Sequence, residues 1–196
     1  MNTLALLLYT MLPLIIAGVL NMVWVKGTWA SALQKPMDGG RKLNDGKRIF
    51  GDNKTWKGFI GMVLFTALTT GVFQAMAISF PTTQELSIVP YQNYSWPLGG
   101  FAIGILWGLA YVLAELPNSF VKRRINIPPG QSSKGIKGFT FVVIDQADSV
   151  LGRVLVMPLF SSINVLQAAL MVILATAVHL LLNMLLYVVK LRKHPF

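Results

Sequence analysis

The chain has 196 residues, 54% of them hydrophobic and only 12% charged, a balance that departs from a soluble domain towards a membrane protein. It contains no cysteine, which excludes disulfides, thiolate metal sites and cysteine nucleophiles, and its two histidines, His179 and His194, are too few and too far apart to make a histidine metal cluster. The net charge of +10 is compatible with nucleic acid or with an anionic membrane, and the placement of the charges along the chain decides between them.

The first apolar run, about Thr3 to Val25, is long enough for a helix across a hydrocarbon core of ~30 Å. Met1 to Val25 holds no lysine or arginine, so the run lacks the basic start of a cleavable signal peptide and reads as a true span. A long basic loop follows, carrying Lys26, Lys35, Arg41, Lys42, Lys47, Arg48, Lys54 and Lys57. Within it, "NDGKRIFGDNKTWKG" (Asn44 to Gly58) interleaves glycines, acids and lysines just before a membrane entry. Turning backbone of this kind can present N–H groups to phosphates, with Lys54 and Lys57 as point charges and Asp52 as a metal ligand or an orienting group. Taken alone, the segment reads equally well as a solvated turn with Trp56 as an interfacial anchor.

The second run, about Gly58 to Phe80, is followed by a short loop, Pro81 to Pro97, whose one charge is Glu85. In the third run, Leu98 to Leu116, Gly100, Gly104 and Gly108 recur every four residues, a small-residue stripe suited to close helix packing. Glu115 falls on almost the same face, aimed towards the bundle interior, and Pro117 is expected to kink the helix or make it restart. If a helical turn restarts beyond it, Ser119 and Lys122 share a face and, with Arg123, offer a hydroxyl, an ammonium and a guanidinium fork to a phosphate, with Arg124 next in the chain. Alone, this basic cluster reads as a juxtamembrane anchor for acidic lipids.

The fourth run, Phe139 to Phe160, carries Asp145, Asp148 and Arg153. Its twelve strongly apolar residues favour insertion by ~4–7 kcal/mol, whereas three mid-membrane charges oppose it by ~8–10. Such a helix needs partners for its charges. At i and i+3 the two carboxylates are neighbours on one helix face, where two anions repel and a divalent cation relieves the conflict. Oxygen ligands with water in the remaining positions suit Mg²⁺. The competing reading is a buried ion pair in which Arg153 takes one of the aspartates or Glu115. The last run, about Leu166 to Val189, precedes a basic tail of Lys190, Arg192 and Lys193, and His179 within it reads as a packing residue.

Sixteen of the seventeen basic residues fall in the first loop, the third loop and the tail, all on one side of five alternating spans. The positive-inside rule then places the N-terminus outside and the C-terminus in the cytoplasm, with function sought on the two long cytoplasmic loops. The expected architecture is an all-α integral membrane protein of five transmembrane helices, one domain over residues 1–196, and nucleic acid is not an expected partner.

Together, "FGDNKTWKG", "SFVKRR" and "DQADSVLG", in this order among five spans, resemble the CDP-archaeol synthase family, relatives of the phosphatidate cytidylyltransferases. The family's S-x-x-K-R core matches Ser119, Lys122 and Arg123, its D-x-x-D core matches Asp145 and Asp148, and its first-loop motif matches Phe50 to Gly58. Where that family often has Gly-Asp before the serine motif, this chain has Ala114-Glu115. The resemblance implies transfer of a cytidylyl group from CTP to a membrane lipid phosphate, ester- or ether-linked, with release of pyrophosphate at the cytoplasmic face of the cell membrane. It implies Mg²⁺ on Asp145 and Asp148, assisted by Glu115, and Asp145, Asp148, Lys122 and Arg123 as the catalytic set. Ser119, Arg124, Asp52, Lys54 and Lys57 are then the expected substrate-binding residues. A small ion or proton transporter using the aspartate pair is the alternative, and it predicts charges distributed across the membrane rather than gathered at one side.

Overall fold

The computed structural model describes residues 3–129 and 135–188. Lys134, Lys190, Arg192, Lys193 and His194 lie outside them, and the Lys137 side chain is likewise not described. Five long helices account for most of the chain: α1 (Thr3–Lys26), α2 (Trp56–Ser79), α4 (Leu98–Arg124), α5 (Gly135–Val156) and α6 (Val165–Val188). A one-turn helix, α3 (Pro81–Gln84), follows α2. Among the described residues there is no strand, and only two isolated bridges, Pro36 with Thr55 and Lys42 with Arg48, occur in the first loop.

Hydrocarbon offers no partner for a bare N–H or C=O, so apolar segments of this length form helices that satisfy their own backbone. Four of them, α1, α2, α4 and α6, are long and apolar enough to cross a membrane; α5 is the one whose charged residues keep it from that class. The lipid-facing character is carried by large side chains left outside the bundle, such as Ile16, Val19, Leu20 and Val23 on α1.

Helix α4 is the centre of the packing. Its glycine stripe lies on α2: a Cβ at Gly104 would meet the backbone of Thr66 and Ala67, and one at Gly108 the Cα of Val63. Its alanine face lies on α5, where a Cβ at Gly152 would run into the Ala110 carbonyl and the Ala114 side chain. The helix does not restart at Pro117, and α4 continues through it to Arg124. A proline inside a membrane helix forfeits one hydrogen bond, a loss the surrounding helices absorb. The continuous helix is what carries Ser119, Lys122 and Arg123 in fixed register with Glu115.

At the opposite end, the short loop is more than a connection. Val89 and Tyr91 are buried, Gln74 donates to the carbonyls of Tyr91 and Tyr94, and the Tyr94 hydroxyl donates to the Phe160 carbonyl at 2.8 Å. Arg153 lies in this half of the bundle, 1% exposed. The expectation that it pairs with an aspartate or with Glu115 is not met. Its guanidinium donates to the Thr10 carbonyl and lies 3.9 Å over the Trp107 ring, with no carboxylate partner among the described residues.

The first loop folds around Asp38, whose side chain is fully buried. The carboxylate accepts from the Arg48 guanidinium at 2.6 Å and from the backbone N–H groups of Gly40, Phe50 and Gly51. Burial alone would push this carboxyl up; Arg48 and the three N–H donors outweigh it and hold it well below the usual carboxylate range. A lowered folded-state pKa means that the contribution to loop stability is complete above the ordinary value of about 3.9 and is lost as the pH falls below it. Amide exchange at Phe50 and Gly51, corrected for intrinsic rates, is therefore expected to stay slow at neutral pH, to accelerate on acidification, and to be fast at neutral pH in Asp38→Asn. For the helix contact, Gly152→Val is expected to cost ~1–3 kcal/mol by overpacking. A lowered thermal midpoint in detergent checks this, and an unchanged midpoint contradicts the close α4–α5 contact.

Candidate active site

Asp145, Asp148 and Gly152 recur at i, i+3 and i+7 on α5, and Asn118 and Lys122 continue the alanine face of α4. The close contact at Gly152 therefore brings these two stripes together. Asn118 Nδ2 donates to Asp145 Oδ1 at 2.6 Å and to Asp148 Oδ2 at 2.9 Å, so one amide group spans both carboxylates. Lys122 Nζ pairs with the other oxygen of Asp145, and the Ser149 N–H donates to Asp148 Oδ1 at 2.6 Å. Ser119, Lys122 and Arg123 are all buried on α4.

Arg123 is the unbalanced member. It is 7% exposed, yet its Nε and Nη1 meet no hydrogen-bond acceptor among the described residues. Unpartnered buried cationic donors are costly, and a phosphate is the ligand that matches a guanidinium fork. The first loop leaves room around this group by placing Gly51 over it. Gly51 has φ +105°, a conformation that favours glycine, and a Cβ there would lie 3.4 Å from Arg123 Nη1 and 2.7 Å from Pro129 Cγ.

The loop also delivers Lys54, which pairs with Glu115. Burial alone would push the Lys54 ammonium down; Glu115 first, with Asp148 and Asp145 beyond it, outweighs burial and holds it above its ordinary value. Lys54 is thus charged and within electrostatic reach of all three acids. Between α1, α2, α4 and the loop, a cavity of about 280 Å³ ends on Lys54 and Glu115.

The structure gathers Asp145, Asp148, Lys122, Arg123, Ser119, Glu115 and Lys54 at one end of the bundle. It does not bring the other three expected substrate-binding residues to the acids. Lys57 is 1% exposed, in the first turn of α2, and its ammonium donates to the carbonyls of Val25 and Gly27, at 3.3 and 2.6 Å, where α1 ends. Asp52 pairs with Arg48, its side chain 71% exposed. Arg124 Nη1 donates to both carboxylate oxygens of Asp45 and Nη2 to the Arg48 carbonyl, tying the loop to the end of α4. Asn118 is the residue that reading the sequence missed. Its signal is spacing: it lies three residues after Glu115 and four before Lys122, on the face those two define.

Among the described residues, no three acids or histidines are grouped closely enough to hold a metal ion by themselves. Glu115 has Lys54 as its partner, and the convergent pair is Asp145 with Asp148. Two carboxylates whose oxygens meet at one amide suit Mg²⁺, which is usually held by one or two carboxylates with substrate phosphates and water completing the shell.

A family model described as CarS-like, CDP-archaeol synthase, matches residues 1–196. Among curated relatives, the CDP-archaeol synthase of Pyrococcus furiosus is 36% identical over 55% of this chain, a match that spans 56% of that relative's length. That of Thermofilum pendens is 32% identical over 82% of this chain and 66% of its own. That of Pyrobaculum islandicum is 30% identical over 84% of each. A solved structure of an intramembrane enzyme for archaeal membrane lipids biosynthesis superposes with a TM-score of 0.61 at 25% identity, covering 90% of this chain and 91% of that one.

If Asn118 is what holds two buried carboxylates together, Asn118→Leu leaves them facing each other without their shared donor. A loss of ~1–3 kcal/mol is expected in metal-free buffer, read as a lowered thermal midpoint. Added Mg²⁺ is expected to recover part of the loss, and a variant as stable as the parent in chelator contradicts the role.

Proposed function

The chain belongs to the CDP-archaeol synthase family, and on that premise we propose that it transfers a cytidylyl group from CTP to a membrane lipid phosphate. The products are a CDP-lipid and pyrophosphate. The observation that carries this reading is the buried Arg123, whose Nε and Nη1 have no acceptor among the described residues, set beside Lys122 and a pair of convergent aspartates. Cations that await an anion, next to acids that await a cation, are the two halves of a site for a metal–nucleotide complex.

We assign α5 as the fifth span, with its acids near the cytoplasmic end. The N-terminus is then outside, the two basic loops and the tail are cytoplasmic, and the protein resides in the cell membrane as a multi-pass enzyme. An α5 buried among other helices accepts charges that lipid would reject, which is why composition alone leaves it out of the apolar class.

A phosphate oxygen of the lipid attacks the α-phosphorus of CTP. The bond from that phosphorus to the β-phosphate oxygen breaks, and pyrophosphate leaves with the electron pair. A phosphate monoester is largely dianionic at neutral pH, so the nucleophile needs no general base. What the protein must supply is alignment and neutralisation of like-charged reactants. Arg123 and Lys122 bind phosphate oxygens, Ser119 donates its hydroxyl, and Lys54 is placed to meet the acceptor's phosphate from the side of the first loop. Mg²⁺ held by Asp145 and Asp148 would supply the charge that stabilises the pyrophosphate leaving group. Lys57, Asp52 and Arg124 serve this site by fixing the loop that carries Lys54. Apart from Arg153, the charges within the bundle gather at one end, which favours a surface reaction over a conduction path.

The test is purified protein with labelled CTP, Mg²⁺ and a panel of ester- and ether-linked lipid phosphates, with released pyrophosphate measured in parallel. CDP-lipid is expected from at least one acceptor, and Asp145→Asn and Asp148→Asn are each expected to lower kcat by roughly 100-fold or more. No CDP-lipid from any acceptor beside an active control enzyme sinks the reading, and full activity in both variants removes the aspartates from the chemistry.

A further inference from the structure

The cavity that ends on Lys54 and Glu115 has a composition at odds with a nucleotide site. Apart from those two residues and a few amides and hydroxyls, its walls are apolar: Met22 and Val25 of α1, Phe59 and Met62 of α2, and Val112 of α4. It also runs deep. Gly18, in its lining, lies eight residues before the end of α1 at Lys26, which is about 12 Å along the helix axis. At about 280 Å³ it is small for a ligand pocket, for which roughly 300–1,000 Å³ is usual, and it cannot enclose long lipid tails.

A charged mouth, an apolar interior and a small volume match one part of one reactant. We propose that this cavity receives the acceptor, with the phosphate at Lys54 and the glycerol and first methylenes between α1, α2 and α4. The inference rests on the cytidylyltransferase reading and adds the berth of the lipid to it. Lys54 is released from Glu115 as the acceptor's phosphate replaces that carboxylate as its partner. The tails beyond the first methylenes remain in the bilayer, so the cavity reads the head of the lipid and leaves tail length unread.

Gly18 provides the test, because a Cβ built there meets nothing within 4 Å. A side chain at this position enters the cavity without pressing on backbone. Gly18→Leu is expected to raise the KM for the lipid phosphate by roughly tenfold, with the KM for CTP unchanged, and Gly18→Ala is expected to fall between Gly18→Leu and the parent. Val19→Leu, at an exposed neighbour, is expected to behave as the parent. A second arm needs no turnover: a dialkylglycerol phosphate with a diazirine close to the glycerol should crosslink to the segments around Met22 and Met62, and lose that labelling in Gly18→Leu. An unchanged lipid KM in folded, active Gly18→Leu overturns the proposal, as does a rise in the CTP KM instead, which would make the cavity a nucleoside site. Crosslinking elsewhere overturns it even if the parent forms no CDP-lipid. Crosslinking as expected in a protein that makes none keeps the berth and removes the cytidylyltransferase reading.

Discussion

The arrangement of the site depends on how closely α5 can lie against α4. Gly152 presents no side chain, and the backbone around it rests directly on Ala110 and Ala114. A contact that close at one point governs the residues a turn or two away on both helices. On α5 these are Asp148 and Asp145; on α4 they are Asn118 and Lys122. The distances of 2.6 and 2.9 Å from one amide nitrogen to two carboxylates are consequences of a missing side chain farther along the interface. A larger residue at Gly152 would part the helices where the acids need to be shared.

Charge within the bundle is handled in two ways. The acids are all partnered, Asp145 by Lys122 and Asn118, Asp148 by Asn118 and a backbone N–H, and Glu115 by Lys54. Arg123 instead keeps two donor atoms without an acceptor among the described residues. Two of these acids hold a lysine that the proposed reaction would turn towards phosphate oxygens, so the pairs keep the charges at this end of the bundle mutually neutralised. The first loop completes the cover. Its fold around Asp38, and its ties through Arg48, Asp45 and Arg124 to the end of α4, keep Gly51 over Arg123 and Lys54 on Glu115.

Much of this was legible beforehand, for identifiable reasons. Hydropathy marks the long helices because lipid-facing segments are apolar on every side, and the i, i+3 spacing of Asp145 and Asp148 marks a shared face wherever a helix forms. What escaped reading were choices among chemically equivalent residues. Lys54 and Lys57 look alike in "NKTWKG", yet the cap at Thr55 starts α2 between them, and the later lysine is thereby turned back onto the carbonyls at the end of α1. Asn118 carries no charge to mark it beside Lys122 and Arg123, although its spacing puts it on the face of Glu115 and Lys122. Pro117 suggests a restart because a helix in water often stops at proline, whereas a packed membrane helix runs through it. Arg153 suggests a carboxylate partner, but it meets a carbonyl and an indole face instead, and its Nε has no acceptor among the described residues.

That last substitution has a consequence for the whole of α5. A guanidinium seated between one carbonyl and one aromatic ring can occupy that seat in only one orientation of the helix that bears it. If α5 turned about its axis, or slid by a residue, a bare cation would face hydrocarbon, at a cost of several kcal/mol. Arg153 thus works as a key in a slot, setting the azimuth and depth of α5 from the far end. Asp145, eight residues and about 12 Å away, inherits both settings without touching the group that enforces them.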